Sequence, residues 1–258
     1  MSRIRGQLAL VTGASAGIGA ACAAKLAEDG ADLVLWARRL ERLEALARGI
    51  ETRSGVAVET QVVDVRDRDA VAAAAADLIG RGKVPDILLN NAGLAVGLAP
   101  IQEGELEDWD RMIDTNVKGL LFATRAFLPA MIERDRGHVV NLGSIAGYQV
   151  YQKGNVYNAS KFAVRALTEG TNLDLLGTNL RASSVDPGLV ETEFSLVRFD
   201  GDRERAESVY RGYTPLAPED IAEAVSFIVN APPHMNVTSM KILATAQRSA
   251  HSVHKEPV

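Results

Sequence analysis

The chain is short of cysteine, histidine and aromatic residues, and it lacks any strong charge bias. A single cysteine, Cys22, among 258 residues excludes an internal disulfide and fits a reducing compartment. Flanked by Ala20, Ala21, Ala23 and Ala24, it reads as a small packed helix residue; a reactive thiol needs a positioned histidine or a basic setting. The four histidines, His138, His234, His251 and His254, are scattered, so no metal site is expected. No stretch reaches the ~18 uninterrupted apolar residues of a membrane span. Between Met1 and Leu8 there is no room for a secretory leader, so a soluble cytoplasmic protein is expected. With 28 Lys and Arg against 33 Asp and Glu, the net charge of −5 carries no footprint of nucleic-acid binding. No linker, charge run or internal repeat divides the chain, and its 47% hydrophobic and 24% charged residues exclude disordered and fibrous classes. One domain over residues 1–258 is the expectation.

What is present is an alternation of short apolar runs with longer Ala/Leu-rich stretches. Strands are expected at Leu8–Val11, Asp32–Trp36, Ala57–Val63, Ile87–Asn90, His138–Leu142, Arg181–Val185 and Lys241–Leu243. Helices are expected at Ile18–Asp29, Arg39–Thr52, Asp69–Arg81, Leu106–Arg134, Asn155–Leu176 and Glu219–Asn230. Strands apolar throughout and separated by helices predict a parallel sheet covered on both faces. This is a doubly wound α/β fold of Rossmann type. The segment from Pro187 to about Tyr213 lacks clean periodicity, and so long an irregular stretch reads as a functional lid. The polar end from about Gln247 reads as a tail or an oligomer contact.

Thr12-Gly13-Ala14-Ser15-Ala16-Gly17-Ile18-Gly19 follows the first strand and opens the first helix. In that context glycines permit a tight turn and close backbone approach, while free N–H groups and the helix dipole suit a pyrophosphate. The spacing T-G-x-x-x-G-x-G resembles that of the short-chain dehydrogenase/reductase family. The second strand runs into Arg38-Arg39, where an NAD-preferring fold carries an acid for the ribose 2′-hydroxyl. Two guanidinium groups suit bidentate binding of a 2′-phosphate instead, and Ser15 can add a hydroxyl, so NADP(H) is the expected cofactor. The alternative is that both arginines are solvated residues opening a charged helix. The resemblance implies that Asp64 and Val65 flank the adenine.

The remaining motifs follow in family order. Asn90-Asn91-Ala92-Gly93 matches the N-N-A-G signature, implying cofactor contacts for Asn91, Ala92 and Gly93. Tyr157 and Lys161 are spaced i, i+4 on a predicted helix, which brings the ammonium to the phenol's side. A nearby cation favours phenolate, and such a tyrosine can exchange a proton with a carbonyl or alcohol oxygen. Tyr148 and Tyr151 have no lysine four residues on. Ser144 lies just past the fifth strand, where its hydroxyl can hold the substrate oxygen; alone it would read as a turn serine. Asn116 matches the family's fourth catalytic position, which implies support of a water path to the lysine. Pro187-Gly188-Leu189-Val190-Glu191-Thr192 matches the family's nicotinamide segment, with Val190 and Thr192 implied as contacts. A homotetramer is likewise implied.

The stretches 112–116, 154–157 and 187–202 look similar to one branch of that family, the NADP-dependent 3-hydroxy acid dehydrogenases with serine and allo-threonine dehydrogenases and semialdehyde reductases. A buried substrate carboxylate needs a cation. Arg198, alone among Phe194, Leu196, Val197 and Phe199, is the expected one; a salt bridge to Asp200, Asp202 or a neighbouring chain is the alternative. Tyr151 is a further expected substrate contact. Tyr148, Gln149, Tyr151 and Gln152 crowd the expected substrate loop, which leaves open a larger ketone or a sulfonated aldehyde. The sequence also leaves room for a reductase of a carrier-bound 3-oxoacyl group, docked through Arg125 and Arg165, and for a non-catalytic NADP-sensing protein.

Overall fold

The computed structural model describes residues 2–256. Seven strands form one sheet in the order β3-β2-β1-β4-β5-β6-β7, every neighbouring pair parallel. They are β1 (Leu8–Thr12), β2 (Asp32–Ala37), β3 (Val58–Val62), β4 (Ile87–Asn90), β5 (His138–Leu142), β6 (Arg181–Pro187) and β7 (Ser239–Ile242). Side chains alternate across the pleat, so each inner strand serves two cores. Ala9, Val11, Leu33 and Leu35 pack toward α1 (Gly17–Glu28), α2 (Leu40–Ser54) and α9 (Pro218–Val229). Leu10, Val34 and Trp36 pack toward α3 (Arg68–Gly80) and α5 (Leu120–Glu133), where Trp36 meets Phe127 at 5.5 Å between ring centroids. Cys22 is buried among the first group, and burial pushes its thiol up to about 12, so the packed, unreactive reading holds. Among the described residues no helix is long and apolar enough to cross a membrane.

Three elements depart from expectation. The predicted helix Leu106–Arg134 is not continuous: α4 (Leu106–Ile113) passes through a π-helical segment, Asp114–Gly119, before α5. The wider turn inserts a residue without breaking the apolar pattern, and it carries Asn116. The stretch 187–213 is not irregular throughout, since it holds α7 (Glu193–Arg198) and α8 (Arg203–Ser208). Their first turns are capped by the side chains of Thr192 and Asp202, but six residues are too few to show a period. Of the two readings of the polar end, the free tail fails: the segment folds back, Gln247 is buried, and the Glu256 N–H donates to Gly212 O at 2.8 Å.

After β3 the chain crosses back to β4 beside β1, and this reversal opens a crevice past the carboxyl ends of the strands. Thr12 braces it. Its Oγ1 donates to Leu89 O at 3.3 Å and accepts from the N–H groups of Asn91 and Ala92, each at 3.0 Å. The long α6 (Asn155–Asp174) packs on α4, the π segment, β5 and β6, which brings its first two turns to the same rim.

Candidate active site

A cleft of about 500 Å³ occupies the crevice. Every residue expected to meet cofactor or substrate lines it, from Gly13 and Ser15 through Arg38, Asp64, Asn91 and Gly188 to Tyr151 and Arg198. Asn116 alone of the expected residues does not line it; it lies one layer behind, 2% exposed.

Ser144 lies two residues past β5 and caps a short 3-10 turn, its Oγ accepting from Ala146 N–H at 3.1 Å. Tyr157 and Lys161 stand on successive turns of α6, and the ammonium lies 5.9 Å from the phenol ring centroid. Lys161 Nζ donates to Leu142 O at 2.8 Å. Asn116 Oδ1 accepts from Leu94 N–H, and Nδ2 donates to Leu94 O, both at 2.8 Å. Nδ2 also reaches Ser160 Oγ at 3.0 Å, and that hydroxyl donates to Tyr157 O at 2.7 Å. Gly93 makes room here, since a Cβ would stand 3.2 Å from Asn116 Oδ1 and 3.7 Å from Lys161 Nζ. Burial drives Lys161 down to about 8, with Asp186 drawing it up. The expected lowering of Tyr157 by Lys161 is absent. Burial holds the phenol well above its usual range, Tyr151 adds to this, and the Ser144 hydroxyl and Arg198 oppose it. The ammonium is hydrogen-bonded to Leu142 O and stands 5.9 Å from the ring centroid, and burial of the phenol outweighs the groups that oppose it.

The other end of the cleft fits a phosphorylated dinucleotide. Gly13 and Gly17 take φ of +67° and +53°, open to glycine at no cost. A Cβ on Gly19 would overlap Asn91 Nδ2 and Gly13 O, so that glycine lets α1 close on the loop. No side chain caps α1 and its first turn holds no acid, leaving free N–H groups facing the cleft. Arg39 reaches Ser15 Oγ with Nε at 3.1 Å and Nη2 at 3.0 Å, assembling the cation and hydroxyl expected for a 2′-phosphate. Asp64 is held low by Arg66, whose Nη2 lies 2.6 Å from Oδ2. The two asparagines divide their work. Asn90 turns inward to Thr124 and Asn141, while Asn91 Nδ2 donates to Thr12 O at 2.9 Å.

Helix α7 closes one side. Thr192 Oγ1 accepts from Phe194 N–H at 3.1 Å, and Phe194 meets the Tyr157 ring edge-on at 5.6 Å. Arg198 makes no salt bridge to Asp200 or Asp202; Nη2 donates to Tyr151 Oη at 2.7 Å and Nε is buried without an acceptor. Its guanidinium lies 5.7 Å from the Tyr157 ring centroid. Tyr148 does not crowd the substrate side: its phenol turns away to Asp186 and Ser239, and Gln149 Oε1 is taken by Ala250 N–H. Arg165 is engaged with Glu169 at 2.9 Å and stacked on Tyr148. Sequence reasoning missed Glu193, Gln247 and Asp186. Glu193 binds Arg39 at 3.2 Å and Arg42 at 2.8 Å, and Gln247 Oε1 accepts from Leu189 N–H at 2.9 Å. All three act on residues distant in sequence, and no local spacing marks them.

Comparison with known proteins agrees with this layout. A family model described as short chain dehydrogenase matches residues 7–201. The chain is 45% identical over 250 residues to an NADP-dependent 3-hydroxy acid dehydrogenase of Salmonella typhi, covering 96% of this chain and 99% of the relative. It is 43% identical over 251 residues to sulfoacetaldehyde reductase 2 of Chromohalobacter salexigens, covering 96% and 99%. Its fold superposes with a TM-score of 0.89 on the closed form of a serine dehydrogenase complexed with NADP+, 41% identical, over 96% of this chain and all of that one.

Proposed function

This chain belongs to the short chain dehydrogenase family, and from that membership we propose that it is an NADP(H)-dependent oxidoreductase of the CH–OH group of a 3-hydroxy acid, a hydroxy amino acid or the matching semialdehyde. When bound, the dinucleotide supplies or accepts the hydride. Gly13 and Ala16 to Gly19 hold its pyrophosphate at the start of α1. Ser15, Arg38 and Arg39 take the 2′-phosphate, while Asp64 and Val65 bracket the adenine. Asn91, Ala92 and Gly93 meet it from one side, and Pro187, Gly188, Val190 and Thr192 from the other.

Tyr157 passes its phenolic proton to the substrate oxygen, or takes one from it, and Ser144 donates a hydrogen bond to the same atom. Lys161 does not lower the resting phenol; it brings a buried ammonium to the phenol's side of the site, where it would meet the cofactor ribose and steady the charge left as the proton departs, and Asn116 holds the backbone at Leu94. Arg198 carries the substrate assignment. It is a lid guanidinium without an acidic partner among the described residues, standing within reach of Tyr151 and Tyr157. A carboxylate there completes a pair that the lid now leaves open. Residues 187–213 act as the lid. The homotetramer implied by the family would cover α5 and α6, where Leu121, Phe162 and Leu173 are exposed, with exposed Leu176 just past the end of α6.

The sulfoacetaldehyde reductase relative favours a second anion, since a sulfonate suits the same cation. The test is a panel of serine, allo-threonine, 3-hydroxyisobutyrate, a sulfonated aldehyde and uncharged ketones, run with NADP(H) and NAD(H) on the native enzyme and Arg198→Leu. Arg198 is half-buried, and a hydrogen bond to a charged group contributes roughly 1.5–3 kcal/mol, so KM for carboxylates should rise about ten- to a hundredfold while uncharged ketones are spared. Unchanged KM for the anions, or turnover of uncharged ketones alone, contradicts the assignment.

A further inference from the structure

Asp186 is a buried carboxylate that none of these roles employs. It stands at the carboxyl end of β6, 1% exposed. Oδ2 accepts from Ser184 Oγ at 2.7 Å, Ser239 Oγ at 3.0 Å and the Tyr148 phenol at 3.1 Å. Oδ1 lies against Gly143, where any Cβ would overlap it. Gly143 stands between Ser144 and Leu142, and it is the Leu142 carbonyl that receives the Lys161 ammonium. The carboxylate and the ammonium therefore flank one stretch of backbone, Leu142-Gly143.

A buried carboxylate needs a cation as well as hydrogen bonds. Two others come near from the outside. Lys241 of β7 and Arg165 of α6 lie over the Tyr148 ring, at 4.1 Å and 4.4 Å from its centroid; Arg165 feels the Asp186 charge, but its hydrogen bond goes to Glu169. On the inner side the charged group is Lys161, buried, with a carbonyl as its hydrogen-bond partner. The groups facing Lys161 are otherwise neutral: Tyr157 on its own helix, Asn116 on the π segment and Ser144 just past β5.

We infer that Asp186 is the buried counter-charge of Lys161, a positioning residue that keeps the ammonium protonated from behind the Leu142-Gly143 backbone without touching substrate or cofactor. The inference rests on the role given to Lys161 above. Each charge steadies the other: Asp186 draws Lys161 up against burial, and Lys161 draws Asp186 down against burial. With burial holding Lys161 near 8, its charge at working pH is sensitive to any lost partner. Tyr148, Ser184 and Ser239 fix the carboxylate in place.

Asp186→Asn keeps the shape and removes the charge. The lysine side-chain NMR signals of the cofactor-free protein are titrated with pH, and Lys161→Arg identifies the signal to follow. The Lys161 midpoint should fall by about one pH unit in Asp186→Asn, and the alkaline limb of kcat/KM should move down with it. Ser239→Ala, which loses a hydrogen bond but no charge, should leave both close to native. A midpoint unmoved in Asp186→Asn overturns the inference, as does a uniform loss of rate at every pH, which marks a structural role. A midpoint that moves while the pH–rate profile stays fixed upholds the counter-charge and refutes the catalytic role of Lys161. Should Asp186→Asn fail to fold, the native protein still decides: a Lys161 midpoint below neutrality refutes the counter-charge.

Discussion

Arg39→Ala tests how the cleft tells NADP(H) from NAD(H). Arg39 presents two donors to Ser15 Oγ and a third to Glu193, so its guanidinium is already held where a 2′-phosphate would be met. Hydrogen bonds to a charged group contribute roughly 1.5–3 kcal/mol. The Arg39 side chain is 45% exposed, and solvent screening brings this down to about 1–2 kcal/mol. Part of the attraction is also offset by Glu193, which Arg39 shares with Arg42. NADPH should therefore bind roughly 5- to 30-fold more weakly to Arg39→Ala. NADH lacks the 2′-phosphate and should be unaffected. Both dissociation constants are read from cofactor fluorescence at low and high salt, and the NADPH difference should shrink as salt rises. Equal weakening of both cofactors would mean that Arg39 serves a part they share. No weakening of either would place the phosphate away from Ser15 and Arg39.

Two further perturbations follow from the packing. Gly19→Ala forces a methyl onto Asn91 Nδ2 and Gly13 O; a stability loss of about 1–3 kcal/mol and weaker binding of both cofactors are expected in melting and fluorescence titrations. His138 is buried against Ser183 Oγ at 2.7 Å, and burial lowers it to about 3. The unfolded chain binds the proton first as pH falls from 6.5, so its stabilising contribution is complete above that pH and is lost toward 3. Between pH 6.5 and 5 the loss is roughly 2 kcal/mol, in a window above the carboxylates. Urea midpoints should fall over that range in the native protein and fall less in His138→Gln; identical slopes would contradict the buried neutral ring.

The parts of the fold readable in the sequence are those with a local cause. Leu8 to Val11 and Ile87 to Leu89 are apolar because both faces of a central parallel strand are covered, and the glycines after Thr12 follow from a turn that must stay tight. Tyr157 and Lys161 could be paired because four residues of helix bring them to one side. The π segment was invisible because Met112, Thr115, Gly119 and Ala123 recur at spacings of three and four through it, as in an ordinary helix. The helices α7 and α8 were invisible because each is under two turns, and their order depends on the caps at Thr192 and Asp202. Tyr148 and Tyr151, three residues apart, carry no mark of which one faces the cleft; Asp186 and Arg198 decide that from elsewhere in the chain. Asp186 itself looks like the polar end of a strand. Its burial is set by Tyr148 and Ser239, which the sequence does not place beside it.

The central claim is that the Tyr157 phenol moves the proton in an NADP(H)-dependent reaction at a hydroxyl-bearing carbon. Tyr157→Phe removes one oxygen from a ring packed against Phe194 and leaves the cofactor end of the cleft untouched. The measurement is the rate of NADPH formation from a 3-hydroxy acid, alongside NADPH affinity by fluorescence, in the native and variant enzymes. Turnover by the native enzyme, a loss of at least about a hundredfold in kcat in Tyr157→Phe and little change in NADPH affinity are expected. Turnover that survives the substitution, or a native enzyme that binds NADPH tightly yet acts on no alcohol or carbonyl, would contradict that claim.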